Sequence, residues 1–213
     1  MTSYSQARRN LINAVLVVMD ATKTVAYFQR ALNRAVLDFY RDDITAFDFV
    51  DTMIRLIEDQ FRRAWNEGAR AVGYDPEDMT FDDQFTLLSR IEREKEYILD
   101  FAGAIENARL NEQPVGPLQA RVPMWANRYN EVVSYSQTYF GKLERFEWVL
   151  GPTEHCDSCL TLAGTVATGQ QWVDARATGI YPQSNQLQCG GYNCQCELRK
   201  TDKPLTSGNI PSI

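Results

Sequence analysis

The sequence predicts a mainly α protein: an elongated helical N-terminal domain over residues 1–143, then a small irregular α+β cysteine module, zinc-ribbon-like, over 144–213 with an extended C-terminal tail. Three observations carry this reading. Apolar residues recur at helical spacing through the first 142 residues, all five cysteines lie between Cys156 and Cys196, and seven of the twelve glycines fall from Gly151 onward. The composition is that of a globular protein, 44% hydrophobic and 23% charged, which excludes wholesale disorder and fibrous repeats. Acidic residues outnumber basic ones 28 to 22, and the resulting charge of −6 argues against coating nucleic acid through bulk charge. A local basic site survives that objection.

The first helix is expected from Leu11 to Phe39. Leu11, Val15, Val18, Val25, Leu32, Val36 and Phe39 follow a 4-3 alternation, with Thr22 and Gln29 in the two remaining seam positions. Such a helix would span about 50 Å, so part of its stripe should pack on another chain, a second copy included. The apolar run Ala14–Met19 inside it is far short of the roughly 20 residues of a membrane span, and it has no small-residue cleavage site. No membrane partner is expected.

Arg41-Asp42-Asp43 breaks the pattern. A second helix starts at Thr45, with Asp48 as its capping partner, and presents Phe47, Val50, Met53 or Ile54, Ile57, Phe61 and Trp65; Gly73 is placed to end it. Asp75-Pro76-Glu77-Asp78 makes a turn, and Thr80 can cap a third helix through Phe85, Leu88, Ile91, Tyr97, Ile98 and Phe101. Its charge run Glu92–Glu96 reads as a solvated face. The segment Asn111–Pro117 carries two prolines and a glycine and reads as a hinge. A fourth helix follows over 118–142. Its aromatic residues, Trp125, Tyr129, Tyr135 and Tyr139 among them, fit core or interface better than base stacking, which usually has basic neighbours. Arg145-Phe146-Glu147-Trp148-Val149-Leu150 then alternates like a strand.

The module that follows is short, glycine-rich and polar, so apolar burial alone should not hold it together. It contains His155-Cys156-Asp157-Ser158-Cys159 and, thirty residues on, Cys189-Gly190-Gly191-Tyr192-Asn193-Cys194-Gln195-Cys196. A Cys-x-x-Cys turn presents two thiolates on one side of the backbone, and a distant second group can complete a tetrahedral zinc site with bonds of about 2.3 Å. The candidate ligands are Cys156, Cys159, Cys189, Cys194 and Cys196, five thiols for four positions, holding a structural Zn2+. Disulfides formed after release into an oxidising medium, or simple thiol burial, are the alternatives.

No catalytic set is readable. His155 is the sole histidine, which leaves no histidine-rich metal nuclease and no HExxH protease; GxxxxGK[ST], GxGxxG and GxSxG are absent as well. The pairs Asp42-Asp43 and Asp82-Asp83 sit at helix starts, where the helix dipole explains them. The expectation is that the protein is not an enzyme.

The stretch from Trp148 through His155-Cys156-Asp157-Ser158-Cys159, Ala163-Gly164, Trp172 and Tyr181-Pro182-Gln183-Ser184 to Cys189–Cys196 resembles the tail of tailed-bacteriophage minor head proteins, the Mu F-like and SPP1-type head morphogenesis group. The likeness covers some 55 residues; the preceding helices are similar only in character. Many members end in His-Pro-x-Cys-Arg-Cys. Here Cys189 stands where the family has histidine and Gln195 where it has arginine, which removes a positive charge from the loop. The resemblance favours Cys156, Cys159, Cys189 and Cys194 as the ligands, with Cys196 spare or exchangeable and His155 behind them. It implies a minor virion component, made in the host cytoplasm and carried in the capsid interior or portal region, with the portal protein or the major capsid protein as partner and possible contact with packaged DNA. Its action would be in head assembly, DNA packaging or ejection. A zinc-dependent nucleic-acid-binding factor is the other class left open.

Overall fold

The computed structural model describes residues 24–152, 154–191 and 194–213. The chain is mainly helical with a small sheet and a cysteine-rich C-terminal region, as the sequence predicts. Helix α1 covers residues 24–40, followed by α2 (Ala46–Ala71), a short 3-10 turn (Pro76–Asp78), α3 (Phe81–Leu110), α4 (Gly116–Gln119) and α5 (Val122–Phe140). After these come β1 (Arg145–Val149), α6 (Asp157–Leu162), β2 (Val166–Thr168), α7 (Gly169–Ala177) and β3 (Glu197–Lys200). Leu11, Val15, Val18 and Thr22 of the expected first stripe lie outside the described residues.

The helix ends form for the reasons read from the sequence. Thr45 and Asp48 exchange backbone and side-chain hydrogen bonds of 3.1 and 3.2 Å at the start of α2, and Thr80 and Asp83 do the same at the start of α3 at 2.8 and 3.3 Å. Each pair satisfies two amides that the first helical turn leaves without partners. Gly73, at φ +84°, ends α2: the Tyr74 amide donates to the Ala69 carbonyl and the Gly73 amide to that of Arg70. That pattern needs a left-handed residue, which glycine adopts without steric cost.

Two expected faces are met at Met53, Ile57, Phe61 and Trp65 of α2 and at Ile91, Ile98 and Phe101 of α3, and differ elsewhere. In α2 the buried line is Phe49, Met53, Ile57, Phe61, Ala64 and Trp65, while Phe47 is 80% exposed. In α3 it is Leu87, Ile91, Ile98, Phe101 and Ile105, with Phe85 and Tyr97 exposed. Both helices have apolar residues on neighbouring rows, and tertiary packing selects the row. The expected fourth helix is two helices, because Pro123 offers no amide for a bond back to residue 119 and instead sits in the first turn of α5.

By contacts the chain forms two compact units, one ending at Leu56 and resuming over Ile98–Ala126, and a second of Ile57–Tyr97 and Asn127–Ile213. In the first unit Phe39 stacks on Phe49 at 4.9 Å between ring centroids, Phe49 meets Phe101, and Phe101 meets Trp125 at 4.8 Å. Arg121 lies over the Phe101 ring at 4.6 Å. In the second unit Trp65 is surrounded by Tyr135, Tyr139 and Phe140. The helices approach closely there: a Cβ on Gly68 would stand 2.5 Å from the Val133 carbonyl oxygen.

The sheet belongs to this second unit, in the order β2-β1-β3, all antiparallel. β1 alternates as read, with Phe146 and Trp148 buried. They join Leu162, Ala167, Trp172, Ile180, Leu187 and Leu198 in a core against which Val72, in the turn after α2, also packs. Trp172 donates its indole N–H to the Phe146 carbonyl at 3.0 Å. Thr168 and Gln171 form a capping box at the start of α7.

A buried charge cluster ties α7 to the helices of this unit. Glu131 of α5, its side chain 2% exposed, pairs with Arg90 of α3 and with Arg176 of α7. Arg176 is also sandwiched between the rings of Tyr135 and Tyr181, at 4.2 and 3.9 Å. Burial and the like charge of Arg128 pull the Arg90 guanidinium down to about 10, and burial with Arg90 holds Arg176 below its ordinary value. The Glu131 carboxylate lies between the two guanidinium groups. Removing one member of such a cluster strands the others without solvent. Glu131→Ala should therefore destabilise the second unit by about 3–5 kcal/mol in urea unfolding; a loss under about 1 kcal/mol would mean that water reaches the two arginines.

Candidate metal centre

Three separate segments deliver the cysteines. Cys156 is the N-cap residue of α6 and Cys159 lies one turn in, on its buried side. Cys189 sits in the loop after Leu187, where Gly190 and Gly191 take φ values of +61° and +73°. A Cβ on Gly191 would meet the Gln183 carbonyl oxygen at 2.3 Å, so the loop closes only with glycine at this position. Cys194 and Cys196 immediately precede β3, whose Glu197 pairs with Val149 of β1. Gly151 lets that segment lie close, since a Cβ there would stand 2.4 Å from the Gln195 carbonyl oxygen.

Two hydrogen bonds fasten the first segment to the second. The Asp157 amide donates to Oε1 of Gln188 at 2.8 Å, and the Gln188 amide donates to Oγ of Ser158 at 3.1 Å. They hold the Cys-x-x-Cys turn beside Cys189 by backbone groups, before any metal is considered.

The five sulfurs gather as two overlapping groups. Cys156, Cys159 and Cys189 lie within 4.8 Å of one another, as do Cys159, Cys194 and Cys196. Cys159 belongs to both. All five are thiols in the structure; Cys159, Cys194 and Cys196 are buried and the other two half-buried. Every cysteine predicted from the sequence is thus brought to one place, and the cluster could hold a metal ion. Of the favoured set, Cys156, Cys159 and Cys189 form one group, and Cys194 joins Cys159 in the other together with Cys196. His155 Nδ1 lies 4.0 Å from Cys196 Sγ.

Crowded thiols cannot all ionise, and they divide accordingly. Hydrogen bonding to Cys194 and Cys196 pushes the Cys159 thiol up, while hydrogen bonds from Cys159 and Cys194, with help from the Trp148 side chain, hold Cys196 down to about 3. Burial raises Cys189. Burial also works against ionisation of Cys156, but the Cys159 and Cys189 amides outweigh it and leave that thiol below its ordinary value. A soft cation would replace the shared protons and allow the sulfurs to bind as thiolates.

Missed in the sequence were the bracing residues: Gln188 and Ser158, which join the two cysteine segments, and Glu131 with its two arginines. The signal available for Glu131 was the single acidic residue of the stretch Val122–Phe140, set among Tyr129, Val132 and Tyr135. Among the described residues no helix is long and apolar enough to cross a membrane. Compared with known proteins, the chain matches no family model, no curated protein and no solved structure.

Because thiol ligands must be deprotonated, a metal bound by the cluster should be released on chelation or on acidification below about pH 5. The module should then loosen while the helices persist: near-ultraviolet dichroism and the emission of Trp148 and Trp172 change, and helical far-ultraviolet dichroism stays. Loss of both signals together would make the metal a requirement of the whole fold.

Proposed function

We propose that this is a non-enzymatic minor structural protein of a phage head, whose C-terminal module is stapled by zinc and whose helices engage the portal or the major capsid protein. The observation that carries the phage assignment is the likeness of residues 148–196 to the tail of the minor head proteins. Its cysteines are the residues that the fold draws together. Zinc is the ion favoured by the donors, since thiolates on a turn and a loop suit a redox-silent tetrahedral ion. The helical part supports an assembly role by leaving large apolar side chains in solvent, among them Phe47, Phe81 and Phe85.

A zinc-dependent nucleic-acid-binding factor is the reading to be separated from it. The module's basic residues are few, and several are engaged: Arg176 with Glu131, Arg199 with Glu197, Lys200 with Glu144 and Lys203 with Glu147. We expect the protein to copurify with intact phage particles through a density gradient, and the zinc-loaded protein to leave duplex DNA unretained in a filter assay at moderate salt. Absence from particles together with salt-sensitive DNA retention would favour the nucleic-acid factor.

A further inference from the structure

The five thiols do not surround one point. They form two triangles with a common corner, Cys156–Cys159–Cys189 and Cys159–Cys194–Cys196, each with sulfurs within 4.8 Å. Four thiolates on one tetrahedral ion at about 2.3 Å must all be mutual neighbours, about 3.8 Å apart. Among the described residues the sulfurs close up in threes, and the one sulfur common to both is Cys159. A deprotonated thiolate has enough lone pairs for two ions, so a shared corner is what a sulfur-bridged metal pair requires.

We infer that the module holds two thiophilic divalent ions bridged by Cys159, one completed by Cys156 and Cys189 and the other by Cys194 and Cys196. This rests on the metal reading proposed above and deepens it by fixing how many ions bind and which thiol they share. Cys159 is suited to the role because it is buried on α6 between the two other cysteine segments. The ion of the buried triangle has a nitrogen donor near it, His155 Nδ1, 4.0 Å from Cys196 Sγ. The other ion lies between two half-buried sulfurs and keeps a side toward solvent. Charge favours the pair as well. Two divalent cations leave five thiolates with a single uncompensated negative charge, whereas one ion on four thiolates leaves two charges and an idle thiol in a partly buried site.

The test is native mass spectrometry of the full chain, purified under reducing conditions and loaded with zinc. Two ions per chain are expected. Substitution by NMR-active cadmium should give two resonances that split each other through the shared sulfur, a readout that needs no variant. Cys189→Ser should lower the count to one ion, and Cys159→Ser should abolish the mutual splitting. One ion per chain with four protected thiols would overturn the bridged pair and leave the metal reading standing. No bound ion, with all five thiols free to titrate, would overturn both.

Discussion

The convergence of three chain segments on Cys159 is the constraint on which the C-terminal module depends. α6 brings that sulfur into the core, the Gly190-Gly191 turn brings Cys189 to one side, and the lead into β3 brings Cys194 and Cys196 to the other. Crowding ionisable sulfurs in a partly buried place is unfavourable if they ionise without a cation and wasteful if they stay protonated. The opposite displacements of Cys159 and Cys196 express this conflict. A bound metal would resolve it, and the amide-to-side-chain hydrogen bonds through Asp157, Ser158 and Gln188 keep the segments in place to receive one.

The cysteine cluster does not act alone. Phe146, Trp148 and Trp172 give the module more apolar burial than its glycine-rich sequence suggests, and Val72, in the turn after α2, packs against their cluster. Arg176, clamped by Glu131 and by two tyrosine rings, joins α7 to α5. A buried pair of this kind adds little net stability compared with apolar packing, but it specifies one arrangement, since a shifted α7 would leave the Arg176 guanidinium without its carboxylate partner. The module is thereby held to its helical neighbours by charge placement and shaped internally by sulfur.

Local signals were legible in the sequence wherever chemistry within a few residues decides the outcome. Thr45 with Asp48, Thr80 with Asp83, Gly73 and the alternation of Arg145–Leu150 all act over one turn or one strand. The gathering of the cysteines was legible too, because thiols concentrated in 41 residues need a common purpose. What escaped depends on distant partners. Whether Phe47 or Phe49 faces inward depends on where Phe39 and Phe101 stand. The division of the cysteines into triangles depends on how the 194–196 segment crosses Gly151. The Arg90–Glu131–Arg176 cluster joins residues 41 and 45 positions apart and has no local signature.

The central claim is that sulfur-bound metal organises the region around Cys159, and X-ray absorption at the zinc edge tests it most directly. For the full chain purified under reducing conditions, the account predicts bound zinc whose first shell is dominated by sulfur at about 2.3 Å. A shell made of oxygen and nitrogen, or a folded module with no zinc, would contradict it.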